Sequence, residues 1–500
     1  MATLNTPPAD RSGLSRKMSL TALTATGICA MLGAAINVLP FMIQRSVPGI
    51  GPWVLPAFVF AAVPALIAAL AYAILASAMP RAGGSYVYAS RALHPYLGFV
   101  ASFSQWIGLS IAIGVVSYVL VPFLRDIATA LGQIGLATML ETGIVRVSVA
   151  LAFLWAFVWV NLCGLKLYKN MLVPMMFLMF ALGSVVIVTG FTFDHEQFTV
   201  AVQAADNRAI PEGGEFPFRF QTFLAAAAVL FSSFIGFDSI AQAGGEARNP
   251  HRSLPLAIGI TVITVGTFYF LFTSAVYHAV PWRFVAEEAL VRDLTAPGLL
   301  SYLLPTGWTV AIVAGAAVAL INDLPAMLLA VSRLMFAWAE DGIFPRFVGS
   351  VHPTRHTPVV AIVLSGLMAS VGILGSHLAG DFFLGVDILV TAMLVNFLLM
   401  CASVLKLPHR NPELAAEVRV LPQRGAQVPL ALLGIVLLGT FLLVHIWKDI
   451  STPQSAWYLH STAIWVVVML VGSAIYVREF TRLQHSGVDV QARFSTLPPE

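Results

Sequence analysis

Apolar runs, each about twenty residues or more, recur from one end of this sequence to the other, and no other feature limits the fold as sharply. A helix needs about 20 mainly apolar residues to cross the hydrocarbon of a bilayer. By that measure about twelve candidates stand near 18–44, 52–79, 96–124, 143–164, 170–193, 220–244, 254–280, 307–338, 357–376, 382–404, 428–447 and 460–480. Run length argues against strands, because a spanning strand needs only about 10 residues of alternating polarity. In hydrocarbon every backbone N–H and C=O must find a partner inside the protein, and a helix supplies one along its length. Charged residues form 10% of the chain, against roughly 25% in a soluble domain. The chain therefore reads as an all-α integral membrane protein of about twelve transmembrane helices, embedded in a lipid bilayer.

Lysine and arginine orient it, since cytoplasmic loops carry the excess. With the N-terminus placed in the cytoplasm, 19 of the 27 basic residues fall on that side, and an even number of spans returns the C-terminus to it. The reading is a multi-pass protein of the cell (plasma or inner) membrane with both termini cytoplasmic. Residues 1–17 form a polar cytoplasmic segment without the apolar core of a secretory signal, so the first run is kept as a helix. A cytoplasmic loop covers 405–427, two more helices lie within 428–480, and the polar tail 481–500 is expected to be mobile.

Several functions find no support. The net charge of +3 gives no reason to invoke nucleic acid. Cys29, Cys163 and Cys401 lie singly in apolar runs, with no metal-ligand or disulfide spacing. Neither His-Glu-x-x-His nor Gly-x-Ser-x-Gly occurs, and no Gly-rich loop ends in Lys-Ser or Lys-Thr. We expect no enzyme, no cofactor and no ATP hydrolysis by this chain. What remains points to transport. The first and sixth runs both hold small residues and a glycine at mid-membrane, and matched interruptions in two halves of a chain are the best sequence pointer to a transporter site.

Three stretches sharpen this. The first is Pro80-Arg81-Ala82-Gly83-Gly84-Ser85-Tyr86-Val87-Tyr88. The second is Gly236-Phe237-Asp238, continuing through Gly245-Glu246-Ala247-Arg248-Asn249-Pro250-His251-Arg252-Ser253-Leu254-Pro255. The third is Ser332-Arg333-Leu334, continuing to Glu340-Asp341-Gly342-Ile343-Phe344-Pro345 and Thr357-Pro358. In this order and at these membrane depths they resemble the amino acid–polyamine–organocation permeases, over about residues 15–410. The resemblance implies a core, 18–404, of two inverted five-helix repeats at about 18–193 and 220–404. The first and sixth helices would be discontinuous, and two peripheral helices would follow. It also implies that backbone groups freed at the two breaks hold the substrate's carboxylate and amino group.

Carried onto this chain, the resemblance places a binding site at Met31, Gly33, Ala34 and Ala35 of the first helix. Family members usually have glycine where Ala35 stands. Independently, an unwound segment frees N–H groups at a half-helix N-terminus, whose positive end suits a carboxylate; the plain alternative is close helix packing by small residues. On the sixth helix the corresponding place holds Ser232, Ile235 and Gly236. Relatives with cationic substrates carry a gating aromatic where Ser232 stands, so gating falls here to Phe231 or Phe234. Gln105 and Trp106 occupy gate positions of the family, and Met327 lies where some members put an aromatic over the substrate; packing is the plain alternative for each. Cytoplasmic Glu246, Arg248, Arg252, Arg333, Glu340 and Asp341 are candidates for a gate of ion pairs, against ordinary solvated loop charges.

Two acids, Asp238 and Asp323, fall inside apolar runs. A carboxylate is costly there and by default functional, and a carboxyl deprived of water holds a proton more readily, so both are candidates for coupling. Asp238 matches an acidic position common in the family, with bracing of the sixth helix as its alternative. Asp323 precedes Leu324-Pro325, where a proline displaces the helix, so it reads first as the cap of a restarted helix and second as a contact to ligand or proton. The expected activity is secondary transport of an amino acid or related small amine by alternating access, with a coupled proton or sodium ion. The alternatives are a nutrient receptor or scaffold that kept the fold without transporting, and a polyamine or organocation exchanger.

Overall fold

A computed structural model describes Leu14 and residues 16–210, 216–380 and 382–498. Among the described residues eleven helices are long and apolar enough to cross a membrane, and a shorter apolar helix, Phe220–Phe234, stands sixth in chain order. The spans are numbered 1 to 12 along the chain. Spans 1 to 5 are Leu20–Ser46, Gly51–Ala78, Pro95–Ala130, Gly143–Leu162 and Leu165–Thr192. Span 6 is Phe220–Phe234 with its continuation Asp238–Gln242. Spans 7 to 12 are Pro250–Ala279, Thr306–Asp341, Val359–Ala379, Phe383–Arg410, Arg424–Ser451 and Ser461–His485. No strand occurs among the described residues beyond two isolated bridges, Met18 with Ala247 and Ala82 with Ala243.

Each apolar run falls on one helix or, for the first and sixth, across a break in it. Several helices continue past the run into charged sequence, span 3 through Arg125 and Asp126, span 10 through Lys406 to Arg410 and span 12 through Arg482. Connections that looked like plain loops hold short helices of their own, at Gly84–Ala92, Ile134–Glu141, His195–Asp206, Trp282–Val291, Ala296–Leu300 and Pro412–Ala416. Span 1 is wholly enclosed and span 3 nearly so; spans 4, 5, 11 and 12 lie at the periphery. Peripheral spans present Trp159, Phe177, Leu443 and Leu470 outward, the reverse of a soluble surface and the pattern lipid requires. Span 3 is the central post, packed against spans 8, 9 and 10.

Two spans are interrupted at matching depth. Span 1 is helical over Leu20–Met31, leaves helical geometry at Leu32 and Gly33, and resumes over Ala34–Ser46. A break inside a membrane leaves backbone groups without helical partners, and each must be satisfied locally. Here the Met31 carbonyl accepts the Tyr269 hydroxyl, and the Gly33 carbonyl accepts Asn37 Nδ2 at 3.2 Å. Span 6 tightens into a 3₁₀ turn at Phe231–Phe234, becomes extended at Ile235, and restarts at Asp238. Gly236 between them has φ +136°, which only glycine adopts readily, and a side chain there would strike the Ala30 carbonyl. The two breaks therefore touch.

Span 8 departs from expectation. Its helix runs without interruption from Thr306 to Asp341 with Pro325 inside it, so neither Asn322 nor Asp323 caps a restarted helix. Membrane helices tolerate an interior proline where neighbouring helices support them; here Asn161 Nδ2 of span 4 ties to span 8 at the proline by donating to the Pro325 carbonyl at 3.4 Å. The tail also departs: it is seated on the protein rather than free. Helix Val490–Ser495 lies over the face that carries both ends of the described chain. Arg81 Nε donates to the Pro498 carbonyl at 3.0 Å, Arg91 Nε to that of Thr496 at 3.1 Å, and Asn411 Nδ2 to that of Ser495 at 2.7 Å.

Candidate functional site

A cavity lies where the two breaks meet. Ala30 and Met31 of span 1, Ser232 and Ile235 of span 6, and Asp323 and Met327 of span 8 form its inner end. Val38 and Leu39 of span 1, a stripe on span 3 (Ala112, Val115, Val116, Val119), Val386 and Leu389 of span 10 and Phe382 just before it form the walls. These walls lead away from the face that holds the tail. Among the described residues nearly every lining group is apolar; the polar ones are Ser232, whose hydroxyl donates to the Val229 carbonyl at 2.7 Å, and Asp323, which is 3% exposed.

Asp323 reaches this place because span 8 is continuous and turns it toward span 1. Its carboxylate lies directly against the α-carbon of Gly33, so closely that any side chain at Gly33 would collide with it. Gly33 in turn immediately precedes the N-terminus of half-helix Ala34–Ser46. The side chains of Ala34 and Ala35 lie outside the described residues, though their backbone opens that half-helix.

Asp238 is placed differently. It is fully buried one turn below the cavity, toward the tail-bearing face, and does not line it. Its Oδ1 accepts the Gly236 N–H at 3.0 Å and its Oδ2 accepts Gln105 Nε2. Gln105 Oε1 accepts Gln242 Nε2 at 3.2 Å, Asn396 Nδ2 at 3.1 Å and the Ser85 hydroxyl. Tyr72 completes the cluster by donating to Asn396 Oδ1 at 2.5 Å. Spans 2, 3, 6 and 10 and helix Gly84–Ala92 are thus tied by one buried polar network, in which Asp238 braces the break of span 6.

The sequence-derived binding residues Met31, Ser232, Ile235 and Met327 come together on the cavity, with Gly33 and Gly236 at its inner end through the side chains they touch. The four gate candidates stand outside its lining. Gln105 belongs to the polar network. Trp106 donates to Ser365 Oγ at 3.2 Å and packs on Phe103 and Trp338. Phe231 packs on Phe397 and Phe441, and Phe234 on Phe58 and Tyr269. Missed from the sequence were the wall residues of spans 3 and 10. Their spacing, 112, 115, 116, 119, is a helical stripe, but an apolar stripe in an apolar helix carries no mark that separates cavity wall from packing.

Toward the tail-bearing face the protein is closed by ion pairs. Arg333 Nη2 meets Glu246 Oε1 at 2.6 Å, with the two side chains 2% and 0% exposed. Asp341 pairs with Arg91, a partner absent from the expected set, and also accepts the Tyr86 hydroxyl at 2.7 Å. Arg248 and Arg252 are solvent-exposed instead. The main chain is stitched here too: Met18 N–H donates to the Glu246 carbonyl at 2.8 Å, and Arg248 N–H to that of Met18 at 2.9 Å.

This arrangement has known counterparts. Residues 18–471 match the family model described as amino acid permease. The chain is 28% identical over 377 residues to human cationic amino acid transporter 4, covering 72% of this chain and 55% of that protein, so it spans about half the length of that relative. It is 26% identical over 485 residues to the branched-chain amino acid permease BcaP of Bacillus subtilis, covering 94% of this chain and 95% of the relative. It is 24% identical over 404 residues to the low-affinity putrescine importer PlaP of Escherichia coli, covering 78% and 79%. With paired helix breaks around a buried cavity and a family match across most of its length, the chain belongs to the amino acid permease family.

Proposed function

We propose that this protein is a secondary active transporter that moves an amino acid or related small amine across the cell membrane by alternating access. The observation that carries the reading is the contact of the two broken spans at one buried cavity, Gly236 against Ala30, with Asp323 of span 8 set against Gly33 at the same place. Half-helix ends and freed backbone groups at mid-membrane are where transporters of this architecture hold substrate. The breaks would be counterparts in two inverted repeats, about 18–193 and 220–404, and the termini would face the cytoplasm. Access is then from the outside along the apolar walls, while the Arg333–Glu246 and Arg91–Asp341 pairs keep the cytoplasmic route shut. A coupled proton or sodium ion would supply the drive.

Uptake of labelled amino acids and amines by proteoliposomes holding the purified protein tests this. Saturable accumulation is expected, and Gly33→Leu, which drives a side chain into Asp323, is expected to abolish it while the protein still inserts. Saturable binding without accumulation would instead mark a receptor, and normal uptake by the variant would remove the site from the cavity described.

A further inference from the structure

The substrate class follows from what the cavity already contains, and this step rests on the transport reading above. Among the described residues of the lining there is one carboxylate and no lysine, arginine or histidine. That carboxylate, Asp323, is almost wholly removed from water and faces the cavity at the point where half-helix Ala34–Ser46 begins. The positive end of a half-helix is where a substrate carboxylate would otherwise be held. Here the protein's own carboxylate stands against the residue that opens the half-helix. A second carboxylate brought in by an α-amino acid would meet like charge in a medium with little water to screen it. An ammonium would meet the opposite charge. The apolar walls on spans 3 and 10 suit a hydrocarbon body extending from it.

We infer that Asp323 is the cation-recognition residue of this cavity, and that the cavity selects organic amines lacking a carboxylate over the corresponding α-amino acids. The ammonium sits beside Asp323 and the Gly33 break; the apolar part lies along Val115, Val119, Val386 and Leu389.

The experiment compares ligands that differ only in the carboxylate: leucine with 3-methylbutylamine, and phenylalanine with 2-phenylethylamine. Each is titrated against the full-length protein in proteoliposomes, by binding and by competition for uptake. The wild-type protein is expected to prefer the amine of each pair by at least about tenfold, since a site built to pair one substrate group rejects what leaves it unmatched. Asp323→Asn is expected to weaken the amine by a similar factor and to leave the amino acid no weaker. Equal or tighter binding of the amino acid by the wild-type protein overturns the inference without recourse to any variant, as does an amine affinity unmoved in D323N. If leucine is transported and the amine is inert, only this inference fails. If a folded sample binds neither member of either pair, the transport reading fails with it.

Discussion

The regions on the two sides of the helix breaks are built by opposite rules. On one side the cavity opens between apolar side chains of spans 1, 3 and 10, which meet through dispersion and have no directional partner to lose. On the other, Asp238, Gln105, Gln242, Asn396, Ser85 and Tyr72 interlock, and beyond them lie the buried ion pairs Arg333–Glu246 and Arg91–Asp341. An apolar wall separates at the cost of wetting it, one contact at a time. A buried ionic layer separates only when its charges find water together, so it acts as a unit. Under the transport proposed above, the apolar side, the thin one, is expected to respond to ligand size, and the ionic side, the thick one, to a change in charge.

The largest expected effect tests the thick side. Arg333→Ala leaves Glu246 buried without its partner and is expected to cost about 3–5 kcal/mol, read as a lower midpoint in a thermal melt. Replacing both by apolar residues of similar volume, Arg333→Met with Glu246→Leu, should recover most of that loss. A single variant as stable as the parent would mean that the pair is not the closure it resembles. Next comes Asp238→Asn, which turns an acceptor of two hydrogen bonds toward a donor and sets an amide N–H against Gln105 Nε2 or the Gly236 N–H. About 1–3 kcal/mol of stability should be lost, and if Asp238 is the coupling acid the pH dependence of uptake should flatten. An unchanged pH profile would leave Asp238 as a brace alone. The smallest effect belongs to the thin side. Val386→Ala enlarges a wall that already borders open space, so roughly 1 kcal/mol or less is expected, together with a shift in uptake toward bulkier substrates. A large loss of stability there would erase the contrast.

Much of this architecture was legible before the coordinates. Span positions agree because hydrocarbon thickness and backbone satisfaction act on every crossing alike. Helix ends run on by up to six residues where charged sequence continues the helix, as at Arg125 and Arg410. The breaks at Gly33 and Gly236 were legible through the resemblance carried by the three motifs, since small residues alone serve close helix packing equally well. Pro325 misled, since a proline marks a helix boundary only where no neighbour steadies the turn, and span 8 is held along its length by spans 3, 5 and 9. The gate candidates Gln105 and Trp106 were found as residues of interest, yet which way a side chain faces on an enclosed helix depends on partners from distant sequence, such as Asn396 and Ser365. Asp341 was expected in an ion pair, but Arg91 lies 250 residues away and no local pattern joins them.

The seated tail has a consequence of another kind. Arg81, Arg91 and Asn411 grip it through the carbonyl oxygens of Pro498, Thr496 and Ser495, atoms that every residue carries. Side chains add two contacts: the Phe494 ring lies 5.1 Å from the Arg91 guanidinium, and Arg493 Nη1 donates to the Asp341 carbonyl at 3.3 Å. Such a clasp reads main-chain path rather than spelling. Substitutions at the exposed Ser495 and Thr496 should pass unnoticed, while an insertion of one residue after Phe494 would put every later carbonyl out of phase with its donor.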